Sequence, residues 1–347
     1  MGQAEVHGKG RGDLMGENSD QASPQKRGVV IFHFGYEYGL RLLVCLYTLR
    51  KYYFGPVTVF LRDDKAGREL RPMIEKMDVR VETKRGMSRS FDRHHVFLES
   101  PYATTLSIDS DTIFQGAIDE LWEPLEREGC LVTQCRIPAY GVEGTPQRPG
   151  WGNRVGHLLS VKSLLTHADF DGAMSRLLHG TDINIGMLGF SRPKGEAFLK
   201  EWAEHMNRGQ ILQADIMDEI LIVSLYWKYP HVLAEEKWNC PASEYFRDTN
   251  VGDAIMLHYF SDGTRLFGSR IGRSTSSWAG RKWLEAYREA GLHMDLKPWR
   301  RRDPYFYGPV TRVVKFIANQ PHALVYTLRR VRKALQARRI ARVPSLD

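Results

Sequence analysis

Cysteine is scarce in this chain: only Cys45, Cys130, Cys135 and Cys240 occur among 347 residues, and no two form a Cys-x-x-Cys pair. Thiols so few and so spaced do not make a disulfide framework, so buried thiols in a reducing compartment are expected. Long apolar runs are also missing. The longest, Leu42 to Leu49, is closed by Arg41 and Arg50, well short of the ~20 residues that cross a bilayer. Residues 1–26 are rich in Gly, Gln, Ser and acids and contain no apolar h-region, so a disordered tail is expected there rather than a signal peptide or anchor. No internal repeat is present.

Positive charge is unevenly spread. Arg300 to Arg342 holds twelve Lys and Arg against the single acid Asp303, a net of +11, so the rest of the chain sums to −3 within the total of +8. A near-neutral body with a basic tail argues against nucleic acid as the partner, because the charge belongs to the tail and not to the fold. Hydrophobic residues make up 42% and aromatics 11%, enough to fill a substantial core.

From Gly28 onward the pattern alternates. It predicts strands at Val29–Phe34, Val57–Leu61 and Val79–Glu82, with helices at Glu37–Lys51 and Lys65–Lys76 between them. Such alternation means a parallel sheet flanked by helices. An uncharged strand, Ala103–Ile108, runs directly into Asp109-Ser110-Asp111. Further strands are expected at Asp182–Phe190 and Ala254–Leu257, the latter ending at His258, and a helix at Ile211–Trp227. The segment Arg136–Asn153, with three prolines and four glycines, reads as a functional loop, and Arg265–Gly280 as a lid for a phosphate-bearing ligand.

The acids after the uncharged strand carry the chemistry. Hard divalent cations take oxygen ligands and keep substrate phosphate oxygens in their shell, so two carboxylates at a strand end can hold a metal against a diphosphate. In open α/β sheets ligands gather outside the carboxyl ends of the strands, where these acids lie. The same Asp-x-Asp also occurs as solvated turn acids, and in haloacid-type phosphatases, where the first acid is the nucleophile. That phosphatase pattern lies early in the domain, with Thr or Val where this chain has Ile113.

The phrase Ala103 to Ile113, the helix-like Ile118-Asp119-Glu120-Leu121-Trp122, the Asn-x-Gly strand around Asn184 and Gly186, the acid-led Asp218-Glu219-Ile220-Leu221 and the strand-end His258 follow one another in order. Together they resemble the GT-A fold glycosyltransferases, in particular the family 8-like group of glycogenin and the lipopolysaccharide galactosyltransferases, over about Val29 to Gly263. The family's Asp-Gln reads Asp218-Glu219 here, and its compact His-x-x-Gly-x-x-Lys becomes His258 with Gly263 and Arg265 farther on.

The resemblance implies a metal-dependent transfer of a sugar from a nucleotide-sugar, most simply a UDP-sugar, to a glycan, glycolipid or protein acceptor. It implies Mn²⁺ or Mg²⁺ held by Asp109, Asp111 and His258. Phe34, Gly35 and Tyr36 after the first strand, Asp63 with Asp64 after the second, Arg93, Ser110, Gly263 and Arg265 are expected around the nucleotide and its diphosphate. Asn184 and Asp182 are expected near the transferred sugar. The family's retaining chemistry needs no positioned base, whereas inversion would use Asp218 or Glu219. The expected organisation is a tail at 1–26, a single GT-A catalytic domain at 27–298 with a mostly parallel central sheet, and a basic helical extension at 299–347. Within that extension the stripe at 310–342 suits either an anionic membrane surface or the catalytic domain itself. A cytoplasmic protein, peripheral on the inner face of a membrane, is the corresponding location. A non-catalytic membrane- or nucleic-acid-binding protein is the remaining alternative.

Overall fold

Residues 25–35, 38–85, 93–135, 158–159, 161–178, 182–212, 217–242, 252–259 and 278–303 are described by the computed structural model. The expected tail up to residue 24, the loop at 136–153, most of the lid, Tyr36, Gly263, Arg265 and the basic stripe at 310–342 lie outside them.

The first half follows the alternation of its sequence. Strand β1 (Gln25–His33) leads to helix α1 (Gly39–Arg50), β2 (Val57–Arg62), α2 (Lys65–Glu75) and β3 (Arg80–Lys84). The short helix α3 (Arg93–Leu98) precedes β4 (Tyr102–Asp109), and a tight turn leads on to β5 (Thr112–Phe114). A 3₁₀ turn, Asp119–Leu121, opens α4 (Trp122–Glu128), which is followed by β6 (Cys130–Cys135). Helix α5 (His167–Leu178), strand β7 (Asp182–Ser191) and helices α6 (Glu196–Leu212) and α7 (Met217–Leu225) come next. The short strands β8 (Val232–Ala234), β9 (Cys240–Pro241) and β10 (Met256–His258) and helices α8 (Trp278–His293) and α9 (Lys297–Arg300) complete the described chain.

The central sheet runs β3-β2-β1-β4-β7-β6-β8. Strands β3, β2, β1 and β4 are mutually parallel, β7 is antiparallel to both β4 and β6, and β8 is parallel to β6. The α/β class with a mostly parallel sheet is therefore as the sequence predicts. Helix α2 shows how local pattern meets packing. Asp64 caps its start by accepting from the Gly67 amide at 2.8 Å, and Ala66, Leu70 and Ile74, four residues apart, form the buried face. One apolar cluster on the α1 and α2 side takes in Leu46, Leu70, Leu106 and Met187; another, built with α6 and α7, takes in Leu188, Phe190, Phe198 and Trp202. Each fully buried Leu or Phe contributes about 1.5–3 kcal/mol.

Three details differ from expectation. Of the helix expected over Ile211–Trp227, Ile211 and Leu212 belong to α6 and Met217–Leu225 form α7, with residues 213–216 outside the described ones, and after Leu225 the chain passes into a 3₁₀ turn, Tyr226–Lys228. Ile220, Leu221, Ile222, Val223 and Leu225 are all buried, and a helix apolar on every side offers no periodicity to mark its ends. The last residues of the expected lid, Trp278 to Gly280, open α8. The 298/299 boundary cuts through α9, whose Trp299 is buried in the main core. Among the described residues no helix is long and apolar enough to cross a membrane.

Candidate active site

Strands β1, β2 and β4 end at one edge of the sheet. Phe32 pairs with Asp109, so the last residue of β4 lies beside the end of β1. Ser110 and Asp111 then turn the chain into β5, which belongs to a second sheet of order β5-β10-β9. In that sheet Thr112 is the register partner of His258, and the Tyr259 amide donates to the Asp111 carbonyl at 2.8 Å. Backbone pairing thus delivers the histidine to the acids.

The resulting cluster is close. One ligand atom each from Asp109, Asp111 and His258 can be chosen so that all lie within 4.8 Å of one another. His258 Nε2 is 3.1 Å from Asp111 Oδ1 and 3.5 Å from Asp109 Oδ2. Its Nδ1 lies 3.1 Å from Asn184 Oδ1. An amide oxygen only accepts, so Nδ1 carries a proton and the Nε2 position faces the two carboxylates. Burial disfavours the imidazolium, but Asp111 and Asp109 outweigh it and raise the His258 pKa above its ordinary value. Burial also pushes the Asp109 carboxyl up, with Asp111 adding to it and Arg93 opposing. For Asp111 burial is overcome by His258 and Arg41, which hold it below the usual carboxylate range. Two carboxylates and an imidazole nitrogen turned inward are a fitting donor set for Mn²⁺ or Mg²⁺.

The support of His258 comes from a wide bulge. Val132 pairs with Leu188, but the next residue of β6, Thr133, pairs with Asn184, which leaves Ile185, Gly186 and Met187 out of register. The Thr133 hydroxyl lies 3.0 and 2.9 Å from the carbonyl oxygens of Asn184 and Met187, across the mouth of the bulge. Asn184 Oδ1 also accepts from the Gly186 amide at 2.8 Å and from Asn239 Nδ2 at 2.7 Å. A Cβ on Gly186 would sit 2.2 Å from His258 Cε1 and Nδ1, so the imidazole occupies space that only glycine leaves open. Bulges of this kind re-aim side chains beside functional sites.

The remaining expected residues divide. Arg93, at the start of α3, donates from Nη2 to Asp109 Oδ1 at 2.8 Å and from Nη1 to the Ile185 carbonyl at 3.2 Å, with Nε 3.7 Å from Asp218 Oδ2. It ties the metal-ligand candidate to the acid-led helix α7. Asp218 and Glu219 are both buried in the first turn of α7, and burial raises the Asp218 pKa against the pull of Arg93. Asn184, expected near a sugar, has its Oδ1 turned to His258. Asp182 opens β7. Ser110 donates its hydroxyl proton to His33 Nδ1 at 3.2 Å, because His33 Nε2 donates to the Gly35 carbonyl at 3.1 Å. Burial holds that histidine neutral, its pKa lowered to about 4. Gly35 adopts φ +79, which favours glycine, and Phe34 packs at 5.5 Å from the Phe32 ring. Asp63 forms exposed ion pairs with Arg68 and Arg85 at 3.1 and 3.4 Å, while Asp64 is the helix cap described above.

His33, Arg41, Thr133 and Asn239 join this site without having been singled out from the sequence. His33 had the best signal, as a polar residue closing an apolar strand. Cys45, expected to be a buried thiol, lies 3.2 Å from the Thr112 hydroxyl beneath the turn, and Cys130 and Cys240 are likewise buried and free.

No family profile and no curated protein sequence matches the chain. Solved structures do. The galactosyltransferase LgtC, in complex with donor and acceptor sugar analogues, superposes with a TM-score of 0.50 at 13% identity, over 79% of this chain and 99% of its own. Mouse xyloside xylosyltransferase 1 aligns over 67% of this chain and 97% of its own, at 11% identity and a TM-score of 0.43. For the glycosyltransferase GlyE of Streptococcus pneumoniae TIGR4 the figures are 79% and 64%, 14% and 0.48, so less than two thirds of GlyE is matched. At such identities the likeness is one of fold. The chain has the GT-A fold that the order of its motifs implied.

Proposed function

We propose that the chain is a divalent-metal-dependent glycosyltransferase that moves a sugar from a nucleoside diphosphate sugar, most simply a UDP-sugar, to a glycan, lipid-linked or protein acceptor. The observation that carries this reading is the Asp109, Asp111 and His258 triad at the carboxyl end of parallel strands, with an imidazole tautomer set so that a nitrogen faces both acids. A bound Mn²⁺ or Mg²⁺ supplies Lewis-acid stabilisation of the negative charge that grows on the departing diphosphate.

The protein's own groups do the positioning. Asp109 and Asp111 present carboxylate oxygens from a turn pinned by both sheets, and Asn184 holds the His258 ring. Arg93 keeps Asp109 in place and brings a buried positive charge near the diphosphate. Asp218, 3.7 Å from Arg93 Nε, and its neighbour Glu219 are the acids offered to hydroxyls of the sugar. With Asp218 paired to Arg93 and no isolated base required, retention of configuration is the simpler outcome. Among the described residues nothing lies within 4 Å of the position a Cβ on Gly35 would take after β1, which suits a nucleoside approaching the backbone. The basic stretch at 310–342 would hold an enzyme acting on a lipid-linked acceptor against an anionic surface.

The test is a thermal-shift series on the full chain with UDP, GDP, CDP and ADP, each with and without Mn²⁺, followed by UDP release from UDP-sugars. Stabilisation by one diphosphate only when Mn²⁺ is present, with both effects abolished in Asp111→Asn, is expected. Hydrolysis of a simple phosphomonoester without nucleotide would instead favour the haloacid phosphatase chemistry, and the glycosyltransferase reading fails if no diphosphate binds with any ion.

A further inference from the structure

The third residue of α1 is an arginine in an otherwise buried and mostly apolar turn. Gly39, Leu40, Leu42 and Leu43 surround Arg41, whose side chain is only 4% exposed. Its Nε lies 3.2 Å from Asp303 Oδ2, and Asp303 is 0% exposed. Its Nη1 lies 3.9 Å from Asp111 Oδ2, buried and with no hydrogen-bond partner among the described residues. The guanidinium thus stands between two carboxylates 192 positions apart in sequence, Asp111 and Asp303, and its face covers the Tyr38 ring at 5.0 Å.

Asp303 reaches this position through a docked segment. The α9 tryptophan, Trp299, packs so tightly on the first turn of α1 that a Cβ at Gly39 would meet its ring at 2.5 Å. Arg302 pairs with Glu69 of α2 at 2.6 Å, and the Asp303 amide donates to the Trp299 carbonyl at 3.1 Å. Ion pair, aromatic contact and backbone turn together fix the Asp303 carboxylate.

We infer that Arg41 is a positioning residue for Asp111, and that Asp303 both anchors its guanidinium and cancels its charge. This rests on the metal reading of the site. Asp111 has two oxygens: Oδ1 faces His258, and Oδ2 faces Arg41. Holding Oδ2 aims Oδ1 into the cluster. A lone guanidinium so close to Asp111 would also compete with a cation for the same carboxylate. Asp303 removes that competition by taking up the positive charge from the other side, and a planar fork can face both acids at once where an ammonium cannot. Partners that orient metal ligands in this way typically change metal affinity by about ten- to a hundredfold when removed.

The experiment measures Mn²⁺ affinity of the full chain by electron paramagnetic resonance, with circular dichroism confirming that each variant is folded. Asp303→Asn is expected to weaken Mn²⁺ binding at least about tenfold and Asp303→Glu to recover most of it. Arg41→Lys, the second variant, is expected to weaken it too, since a point charge pairs with only one of the two acids. A merely structural ion pair would lower the melting temperature and leave the Mn²⁺ affinity of the folded protein alone. The inference is overturned if Asp303→Asn and Arg41→Lys, or whichever of them folds, bind Mn²⁺ within twofold of the wild type. Failure of the wild-type protein to bind Mn²⁺ overturns the metal reading itself and this inference with it.

Discussion

Replacing Gly186 with alanine tests whether the imidazole is where the metal chemistry needs it. The added Cβ would lie 2.2 Å from His258 Cε1 and Nδ1, and ordinary contact begins at 3.4 Å, so the ring or the bulge must retreat by about 1.2 Å. The ring cannot retreat freely, because it is buried and its Nδ1 is bound to Asn184 at 3.1 Å. Overpacking of this kind costs about 1–3 kcal/mol. Metal ligands tolerate displacements of only about 0.2 Å before coordination suffers. Gly186→Ala is therefore expected to lower the urea-unfolding free energy of the metal-free protein by about 1–3 kcal/mol. It should also weaken Mn²⁺ binding by more than about tenfold. Urea titration followed by circular dichroism gives the first quantity, and Mn²⁺ titration followed by electron paramagnetic resonance gives the second. A variant that loses stability while keeping Mn²⁺ affinity within twofold would refute the assignment of His258 as a ligand.

Two further outcomes follow from the same geometry. The His258 pKa is raised above its ordinary value of 6.5, so in the metal-free protein its contribution to stability is complete below 6.5 and is lost as pH rises through the folded value. His33, with its folded pKa lowered to about 4, titrates near 6.5 only in the unfolded state, so its opposite contribution is confined to the low end of the range and is gone above about pH 7.5. A cation must displace the Nε2 proton, so stabilisation by Mn²⁺ should grow over the same interval; melting temperatures with and without Mn²⁺ over roughly pH 6 to 9 read both signs. Asn239→Ala removes the donors that reach Asn184 Oδ1 at 2.7 Å and its carbonyl at 3.1 Å. It is expected to cost about 1–3 kcal/mol in urea unfolding, with a smaller loss of Mn²⁺ affinity than Gly186→Ala. Equal affinity loss in the two variants would contradict this ranking.

The strands that carry the site were legible because their signals are local. Runs such as Val57–Leu61 and Ala103–Ile108 declare a strand within half a dozen residues, and an uncharged run ending in Asp109-Ser110-Asp111 marks the sheet edge. The observed strands start or stop within about four residues of those expected. Helix α6 is legible as well, through the spacing of Phe198, Leu199, Trp202 and Met206, though no expectation above covers it; α7, apolar on all sides beyond its leading acids, offers no periodicity to mark its C-terminal end.

Residue order and apolar pattern determined the class of fold, the place of the two acids at the end of β4 and the order of the motifs, since each depends on neighbours along the chain. Tertiary structure alone decided what surrounds those acids. His258 meets Asp111 across 147 positions through the β5–β10 register, Asn239 reaches Asn184 across 55 through the bulge, and Arg41 finds Asp303 across 262 through the docking of α9. Contacts at such separations are set by strand register and helix packing, and a side chain such as Arg41 looks like any other arginine until the fold buries it between two carboxylates.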